Sequence, residues 1–239
     1  MSIRAGIFTT TLEQVVEQGV QNTRHFKLTF NPADHFDFEA GQFINILFDH
    51  EGKVLKRPYS IASPPIWKGY LDLSIRLVEG GIGTHLLWNY KVGDQLKIQG
   101  PLGRFVPKTP LPKTIAFVST GTGIAPFRAM IHDLLEKKAS CQIWNIFGNR
   151  YEGGDVLYQE EFEELAKKYP QFKNAFIVSR PKTWKGAVGY VQTLLSKCLT
   201  GPADTHIYIC GLTPMIEEVR KTALEMGFTK EQIFFEKYD

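Results

Sequence analysis

The deciding stretch of this chain is Ser119-Thr120-Gly121-Thr122-Gly123-Ile124-Ala125-Pro126. An apolar segment ends at Ser119, two glycines follow, and a helical pattern begins with Pro126 in its first turn, where a missing N–H costs no hydrogen bond. Beyond this point strand and helix patterns alternate, which is typical of a parallel sheet with helices on both faces. Ligands bind such sheets at the carboxyl ends of the strands, where these glycines lie.

The second half therefore predicts an α/β domain. Its predicted strands cover residues 114–119, 141–147, 175–179, 206–210 and 232–235. Its predicted helices cover residues 124–137, 160–168, 188–198 and 214–226.

The first half shows the period-two alternation of short strands, at residues 23–30, 41–48 and 70–78. Turn residues separate these segments, and a short helix is predicted to start near Thr84. This pattern predicts an antiparallel β-barrel. Three prolines between residues 106 and 113 can continue neither element type, so we predict two domains, residues 1–107 and 113–239.

Composition excludes several classes of protein. The net charge is only +3 and no run of lysine and arginine is long enough to predict a nucleic-acid tail, which argues against a nucleic-acid partner. No segment approaches the roughly 18 apolar residues that a membrane span needs. The three cysteines are odd in number and widely spaced, which excludes a disulfide framework and a CxxC metal or iron–sulfur site. We expect a cytoplasmic protein that holds no metal.

Chemistry in the first half is indicated by Arg57-Pro58-Tyr59-Ser60. An arginine fork can clamp a phosphate, an aromatic ring two residues along a strand points the same way, and a neighbouring hydroxyl can hydrogen-bond a heteroaromatic ring. An ordinary edge strand with a surface arginine would look the same. The segment Glu79-Gly80-Gly81-Ile82-Gly83-Thr84 shifts the balance, because glycines before a helix leave backbone N–H groups free for a pyrophosphate.

In the second half, Gly121 and Gly123 would let a dinucleotide approach the backbone. Pro126 stands where a third glycine would complete GxGxxG, which disfavours a standard Rossmann site. Cys210-Gly211 closes a later strand, and Pro214-Met215 opens the next helix. These residues predict a second gap at the same edge of the sheet, although a cysteine at a strand end is often only packing.

The chain resembles the ferredoxin-NADP reductase family over nearly all of its length. That family combines RxYS, a glycine-rich turn with Ser or Thr, GTGxAP, CG before a Pro-Met helix and a terminal Glu-x-Tyr. This sequence has each motif in that order, down to Glu236-Lys237-Tyr238. The resemblance implies a barrel that carries FAD, followed by an α/β domain that carries NADP or NAD.

The resemblance also implies how FAD is held. Arg57 would bind the flavin phosphate, Tyr59 would stack on the isoalloxazine ring and Ser60 would hydrogen-bond near the flavin N5. Gly81, Ile82, Gly83 and Thr84 would bind the pyrophosphate. The remaining residues implied to contact FAD are Pro58, Ser74 and Arg76.

For the nicotinamide nucleotide, the resemblance implies that Cys210 and Glu236 position the nicotinamide C4, with Thr122 between flavin and nicotinamide. Ser60, Cys210 and Glu236 are the implied catalytic residues. Tyr238 would cover the other flavin face, although Asp239 follows it here, whereas the tyrosine ends the plant-type chains. The other residues implied to hold the nucleotide are Gly123, Ser179, Arg180, Gly211, Pro214 and Met215.

The choice of nucleotide depends on Ser179-Arg180, because an arginine after this strand suits the 2′-phosphate of NADPH. The same arginine with Pro181, together with Trp184 and Gly189-Tyr190-Val191, also looks like the NADH-using cytochrome reductases. A solvated arginine with no ligand is a third interpretation. We lean slightly to NADP.

The resemblance implies electron transfer between NAD(P)H and a small one-electron carrier protein such as ferredoxin or flavodoxin. Hydride would pass between nicotinamide C4 and flavin N5. Three alternatives stay open: the reductase component of an oxygenase, a free-flavin reductase, and a cofactor-binding subunit of a larger electron-transfer complex. The last is disfavoured, because the C-terminal cysteine cluster of the orotate-pathway subunits is missing here.

Overall fold

The computed structural model describes residues 5–19, 22–152 and 156–238. The described residues form two compact units. The first contains the residues up to Pro107 together with Ala125–Asp133, and the second contains Lys108–Ile124 and the residues from Leu134 onwards.

The first unit contains an antiparallel six-stranded sheet, one short helix and Ala125–Asp133, which form most of a longer helix described below. Its elements are β1 (Gly6–Gln18), β2 (Thr23–Phe30), β3 (Phe43–His50), β4 (Lys53–Ser60), β5 (Tyr70–Arg76), α1 (Ile82–Trp88) and β6 (Gln95–Leu102). The strand order is β4-β3-β6-β1-β2-β5, so β4 and β5 are the two edges. Beyond the end of β4 these edges meet, because the Ala62 N–H donates to the Asp72 carbonyl at 2.7 Å.

The core of this unit consists of apolar side chains that occupy alternate positions along its strands. Along β5, Leu71, Leu73 and Ile75 face the buried apolar cluster, whereas Asp72 and Ser74 alternate with them. The cluster draws on β1, β2, β3, β5 and β6 and includes Leu12, Phe26, Leu28, Ile44, Ile46, Phe48, Leu96 and Ile98. Burial of these side chains stabilises the curled sheet.

The second unit is a parallel six-stranded sheet in the order β10-β9-β8-β7-β11-β12. Its strands are β7 (Thr114–Thr120), β8 (Gln142–Asn149), β9 (Phe172–Val178), β10 (Ala187–Val188), β11 (Thr205–Gly211) and β12 (Ile233–Lys237). Its helical elements are α2 (Ala125–Glu136), α3 (Gln159–Lys168), α4 (Leu195–Cys198), α5 (Thr213–Glu225) and 3₁₀ turns at Gly121–Ile124, Val191–Leu194 and Lys230–Gln232. Only the last residues of α2 belong to this unit, because Ala125–Asp133 belongs to the first.

The fold class is confirmed, with corrections at particular elements. In the first unit, the strands β1 and β6 were not predicted. A register shift between Leu12 and Gln14 interrupts the alternation of β1, and Gly100-Pro101 within β6 has the composition of a turn. The helix predicted over 188–198 is wrong. Val188 instead pairs with Val178 as a strand, and Gly189 follows with a φ of +137°, so only Leu195–Cys198 is α-helical.

Cys141, Cys198 and Cys210 are all free thiols. The cytoplasmic location inferred from the cysteines stays a prediction. No described helix combines the length and apolar character that crossing a membrane requires. Within the described ranges, His, Cys, Asp and Glu side chains form no group of three or more that could hold a metal ion.

Candidate functional site

In the first unit, β4 presents Arg57 and Tyr59 on one face. Both are half-buried, whereas Lys56 and Pro58, on the opposite face, are exposed. Burial raises the pKa of Tyr59 to about 12, although the Arg57 charge acts in the opposite direction. The Tyr59 hydroxyl is therefore neutral at physiological pH, and the ring offers an uncharged aromatic surface beside a guanidinium. Ser60 follows and is buried.

Arg57 of β4 packs against Gly83, which lies in the first turn of α1. A Cβ built on Gly83 would lie 2.5 Å from Arg57 Cγ and 3.4 Å from Arg57 Nε. The absence of a side chain at Gly83 therefore makes room for the stem of Arg57. Two motifs that are distant in the sequence face each other, as a phosphate-binding role would require.

Thr84 occupies a different position from the one predicted. The helix α1 begins at Ile82, with Gly81 preceding it, so Thr84 lies inside the first turn. The Thr84 hydroxyl lies 3.1 Å from the Gly81 carbonyl and accepts from the Val78 N–H at 3.2 Å. This hydroxyl therefore stabilises the turn itself, and Ile82 stands exposed at its tip.

The β5 edge carries Ser74 and Arg76 on the same face as Asp72. Ser74 is buried, and its hydroxyl donates to Gln18 Oε1 at 3.0 Å. Arg76 is exposed at the end of the strand. The residues implied to contact FAD thus lie on both edge strands, β4 and β5, and on α1.

In the second unit, three polar residues form one row across the carboxyl ends of parallel strands. Ser119 of β7 is in register with Cys210 of β11, and Cys210 is in register with Glu236 of β12. Neighbours in register share a face of the sheet. Ser119 was not predicted as a site residue, yet its hydroxyl is fully buried and has no hydrogen-bond partner among the described residues.

Two glycines, Gly123 and Gly211, allow the loops beside this row to pack closely against it. A Cβ built on Gly123 would lie 2.4 Å from the Cys210 carbonyl oxygen, and one on Gly211 would lie 2.7 Å from Met215 Cε. Thr122, half-buried, lies in the same 3₁₀ turn as Gly123, and Pro214 and Met215 are in the first turn of α5. The turn after β7 therefore packs directly on the end of β11.

The electrostatics of the row keep Cys210 neutral. Burial raises the pKa of the Cys210 thiol well above its usual value, and the Glu236 carboxylate raises it further, whereas a hydrogen bond from Tyr238 opposes both. The Tyr238 hydroxyl is buried, and its backbone N–H donates to the Gly211 carbonyl at 3.0 Å. Tyr238 thus belongs to the Cys210 cluster in this unit, and Asp239 lies outside the described residues.

The loops after β8 and β9 are joined by main-chain hydrogen bonds. The N–H groups of Ser179 and Arg180 donate to the carbonyls of Asn149 and Arg150 at 2.9 and 2.8 Å. Glu152 accepts from the Lys182 N–H at 2.8 Å and from the Thr183 N–H and hydroxyl. These bonds, that of the Thr183 N–H above all, lower the pKa of Glu152 to about 2.

The raised pKa of Cys210 predicts slow alkylation. A protonated, buried thiol is a poor nucleophile, so iodoacetamide should modify Cys210 in the native protein at pH 8 at least about tenfold more slowly than in the unfolded chain. Its rate should climb as the pH rises towards the raised pKa. Glu236→Gln removes the neighbouring negative charge, lowers that pKa and should speed alkylation at a given pH. Peptide mass spectrometry measures both rates, and an unchanged rate in Glu236→Gln would contradict this account.

Comparison with known proteins supports the assignment of both units. Residues 11–106 match the oxidoreductase FAD-binding domain family, and residues 117–221 match the oxidoreductase NAD-binding domain family. The chain is 36% identical to ferredoxin–NADP reductase B of Sorangium cellulosum over 223 residues, which cover 89% of this chain and 91% of that protein. It is 34% identical to NADH-cytochrome b5 reductase 1 of Dictyostelium discoideum, over 89% of this chain and 76% of that protein.

Among solved structures, a ferredoxin NADP⁺ reductase from Neisseria gonorrhoeae with bound FAD and NADP has the same fold. The TM-score is 0.85 at 20% identity, and the match covers 97% of this chain and 98% of that one. Together with the extensive sequence identity to the Sorangium protein, these matches show that the chain is an FAD- and NAD(P)-dependent oxidoreductase of the ferredoxin-NADP reductase family.

Proposed function

We propose that this enzyme passes electrons between NADPH and a one-electron carrier protein of the ferredoxin or flavodoxin type. The observation that carries the proposal is the 36% identity to a ferredoxin–NADP reductase across 91% of that protein's length. The bound cofactors supply the chemistry, a hydride exchanged between nicotinamide C4 and flavin N5 and electrons released one at a time. The protein supplies binding, orientation and exclusion of water.

The first unit fits FAD on the evidence of its own residues. The stem of Arg57 lies where a Cβ on Gly83 would stand, so the guanidinium and the glycine turn are close enough that both could bind the same phosphate groups. Tyr59 stays neutral and half-buried beside them and is suited to stacking on a flat heteroaromatic ring. Ser60, at the buried end of β4, would hold the edge of that ring by a hydrogen bond.

The second unit fits a nicotinamide ring. Gly123 and Gly211 allow close backbone packing at the carboxyl ends of β7 and β11, and Ser119, Cys210 and Glu236 line up there. The neutral thiol of Cys210 is compatible with an uncharged ring. The buried hydroxyl of Ser119 has no hydrogen-bond partner among the described residues and could bond to a polar group of the nucleotide. These side chains would orient the nucleotide rather than take part in bond making.

The proposed preference for NADPH over NADH is based on two arginines. Arg150 and Arg180 follow the ends of neighbouring parallel strands, β8 and β9, and a main-chain hydrogen bond joins them. A 2′-phosphate carries a double negative charge that such a pair could bind, whereas the hydroxyl of NADH offers much less to an arginine.

Arg180→Ala is expected to lower kcat/KM for NADPH by about 10- to 150-fold, the equivalent of about 1.5–3 kcal/mol for a charge-assisted contact. The value for NADH should change by less than about threefold, because NADH has no phosphate at that position. Steady-state kinetics with ferricyanide as acceptor measures both. Lys185→Ala, which removes a positive charge from the same loop, is the control, and equal losses with both nucleotides would refute the 2′-phosphate role.

A cytochrome b5 type of acceptor with NADH as donor is the second candidate. The 34% identity to an NADH-cytochrome b5 reductase and the Gly189-Tyr190-Val191 segment favour it. The purified holoenzyme should therefore be assayed with NADPH and NADH against a ferredoxin, a flavodoxin, cytochrome b5, an oxygenase component and free flavin. Fast turnover of ferredoxin or flavodoxin supports the proposal. Turnover of cytochrome b5 or free flavin alone would overturn it.

A further inference from the structure

The two edge strands, β4 and β5, carry residues that are expected to contact the flavin, and they are connected by hydrogen bonds at one end. Past the end of β4, the Ala62 N–H donates to the Asp72 carbonyl at 2.7 Å, and the Asp72 N–H donates to Ser63 Oγ at 3.0 Å. Ala62 lies two residues after Ser60, and Asp72 lies two residues before Ser74 on the same face of β5. These two hydrogen bonds, which we call the seam, therefore lie next to Ser60 and Ser74, two of the residues expected to contact the flavin.

One buried guanidinium spans the seam. Arg128 of α2, in the same unit, donates from Nη1 to the Ala62 carbonyl at 3.0 Å and to Asp72 Oδ2 at 3.0 Å. Arg128 is 7% exposed and Asp72 is 4% exposed. His25 Nε2 lies 3.3 Å from the other carboxylate oxygen, and the Trp67 ring covers the guanidinium at 5.3 Å. The arginine thus binds a group just past the end of β4 and a group on β5.

The charges in this cluster are compensated. Burial would raise the pKa of Asp72, but hydrogen bonds and charge from His25 and Arg128 outweigh burial and lower it. A buried ion pair is seldom the most stable way to fill a site, because desolvation offsets much of the attraction. Its advantage is geometric, since a guanidinium held by two acceptors fixes both of them in place.

We propose that Arg128 and Asp72 are positioning residues for the flavin. They fix the separation of β4 and β5 at the Ser60 end and so set where Ser60 and Ser74 stand against the isoalloxazine ring. Without the guanidinium, the seam would keep its main-chain bond, but the Asp72 carboxylate would face the Ala62 carbonyl with no cation between them. The inference rests on FAD binding by the first unit and is independent of the nucleotide and of the acceptor.

The test compares Arg128→Met and Arg128→Lys in the full-length protein. For Arg128→Met, we expect the dissociation constant of FAD from the apoprotein, measured by flavin fluorescence quenching, to rise at least about tenfold. The visible absorption bands of the bound flavin should shift as well. Arg128→Lys keeps the charge without the fork and should recover part of both effects.

Arg24→Met is the matched control, because Arg24 also pairs with a carboxylate, Glu17 at 2.6 Å, and also lies over a tryptophan, Trp88 at 4.8 Å. It should lower Tm without changing the FAD bands. If Arg128→Met lowers Tm to a similar extent but keeps the wild-type FAD affinity and spectrum, the pair is only structural and the proposal is wrong.

A double variant covers the case in which Arg128→Met does not fold. Arg128→Met with Asp72→Leu removes the guanidinium and the carboxylate together, so neither is left buried without the other, and the variant should fold. We expect the altered flavin bands in this variant too. A wild-type flavin spectrum and affinity there would overturn the proposal, whereas wild-type protein that fails to bind FAD would instead refute the cofactor assignment on which it rests.

Discussion

Gly123→Ala is expected to slow reduction of the bound flavin by NAD(P)H by at least about 100-fold while FAD itself stays bound. The new Cβ would lie 2.4 Å from the Cys210 carbonyl oxygen, 2.8 Å from its carbon and 3.2 Å from the Gly211 nitrogen. All three are main-chain atoms of β11, so rotation of a side chain cannot relieve the clash. Either the 3₁₀ turn moves away from β11 or β11 moves within the sheet.

Either movement displaces the row of Ser119, Cys210 and Glu236 relative to Thr122. A misplacement of about 1 Å at a reacting centre costs on the order of 100-fold in rate. Stopped-flow absorbance of the flavin measures the reduction step, and the flavin content of the purified protein shows that the first unit is intact.

Gly121→Ala is the matched control for this experiment. Gly121 has a φ of +54°, but no atom lies within 4 Å of a Cβ built there. Alanine at this position pays about 1–2 kcal/mol for the left-handed conformation and collides with nothing. If Gly121→Ala impaired reduction as severely as Gly123→Ala, backbone strain rather than the approach to Cys210 would be the cause.

Arg57→Ala is expected to raise the dissociation constant of FAD by about 10- to 150-fold, because a charge-assisted contact to phosphate contributes about 1.5–3 kcal/mol. Arg57→Lys should fall between alanine and the wild type, since an ammonium lacks the guanidinium fork. Titration of apoprotein with FAD, followed by flavin fluorescence, gives the constants. Lys56→Ala removes the same charge from the opposite face of β4, where Lys56 Nζ donates to Gln99, and should leave FAD affinity unchanged.

A double-mutant cycle sharpens the same experiment. Gly83→Ala alone should weaken FAD, because its Cβ would lie 2.5 Å from Arg57 Cγ and would push that side chain aside. In the Arg57→Ala background this clash does not exist, so adding Gly83→Ala should cost less there. Additive losses would mean that the two motifs act separately, contrary to the contact in the structure.

Local patterns predicted much of this molecule. Alternation along β2 and β5 and the strand–helix succession after residue 113 were sufficient for the fold class, because burial on one face of a sheet imposes a period of two. The same reasoning failed at β1 and at residues 188–198. A register shift in the first and a left-handed glycine in the second interrupt the period, and pairing with neighbouring strands makes β1 and Val188 extended.

Parts of the candidate site could not be predicted for a different reason. Ser119 has no sequence signal, since it becomes a neighbour of Cys210 only through the parallel register of β7 and β11. Arg128 looks like any arginine on a helix, and its partners Ala62 and Asp72 are more than fifty positions away. Long-range contacts of this kind depend on topology, which no local pattern contains.

The contact of Arg128 with Ala62 and Asp72 also bears on how the chain folds as it is synthesised. By the time Pro107 leaves the ribosome, every strand of the first unit has been made, including His25, which pairs with Asp72, but Arg128 has not. At ~5–20 residues per second, Arg128 follows about 1–4 s later, after the first strand of the second unit. Translation therefore interleaves the two units, so a pause between codons 107 and 128 should prolong the lifetime of a barrel in which Asp72 lacks its arginine partner.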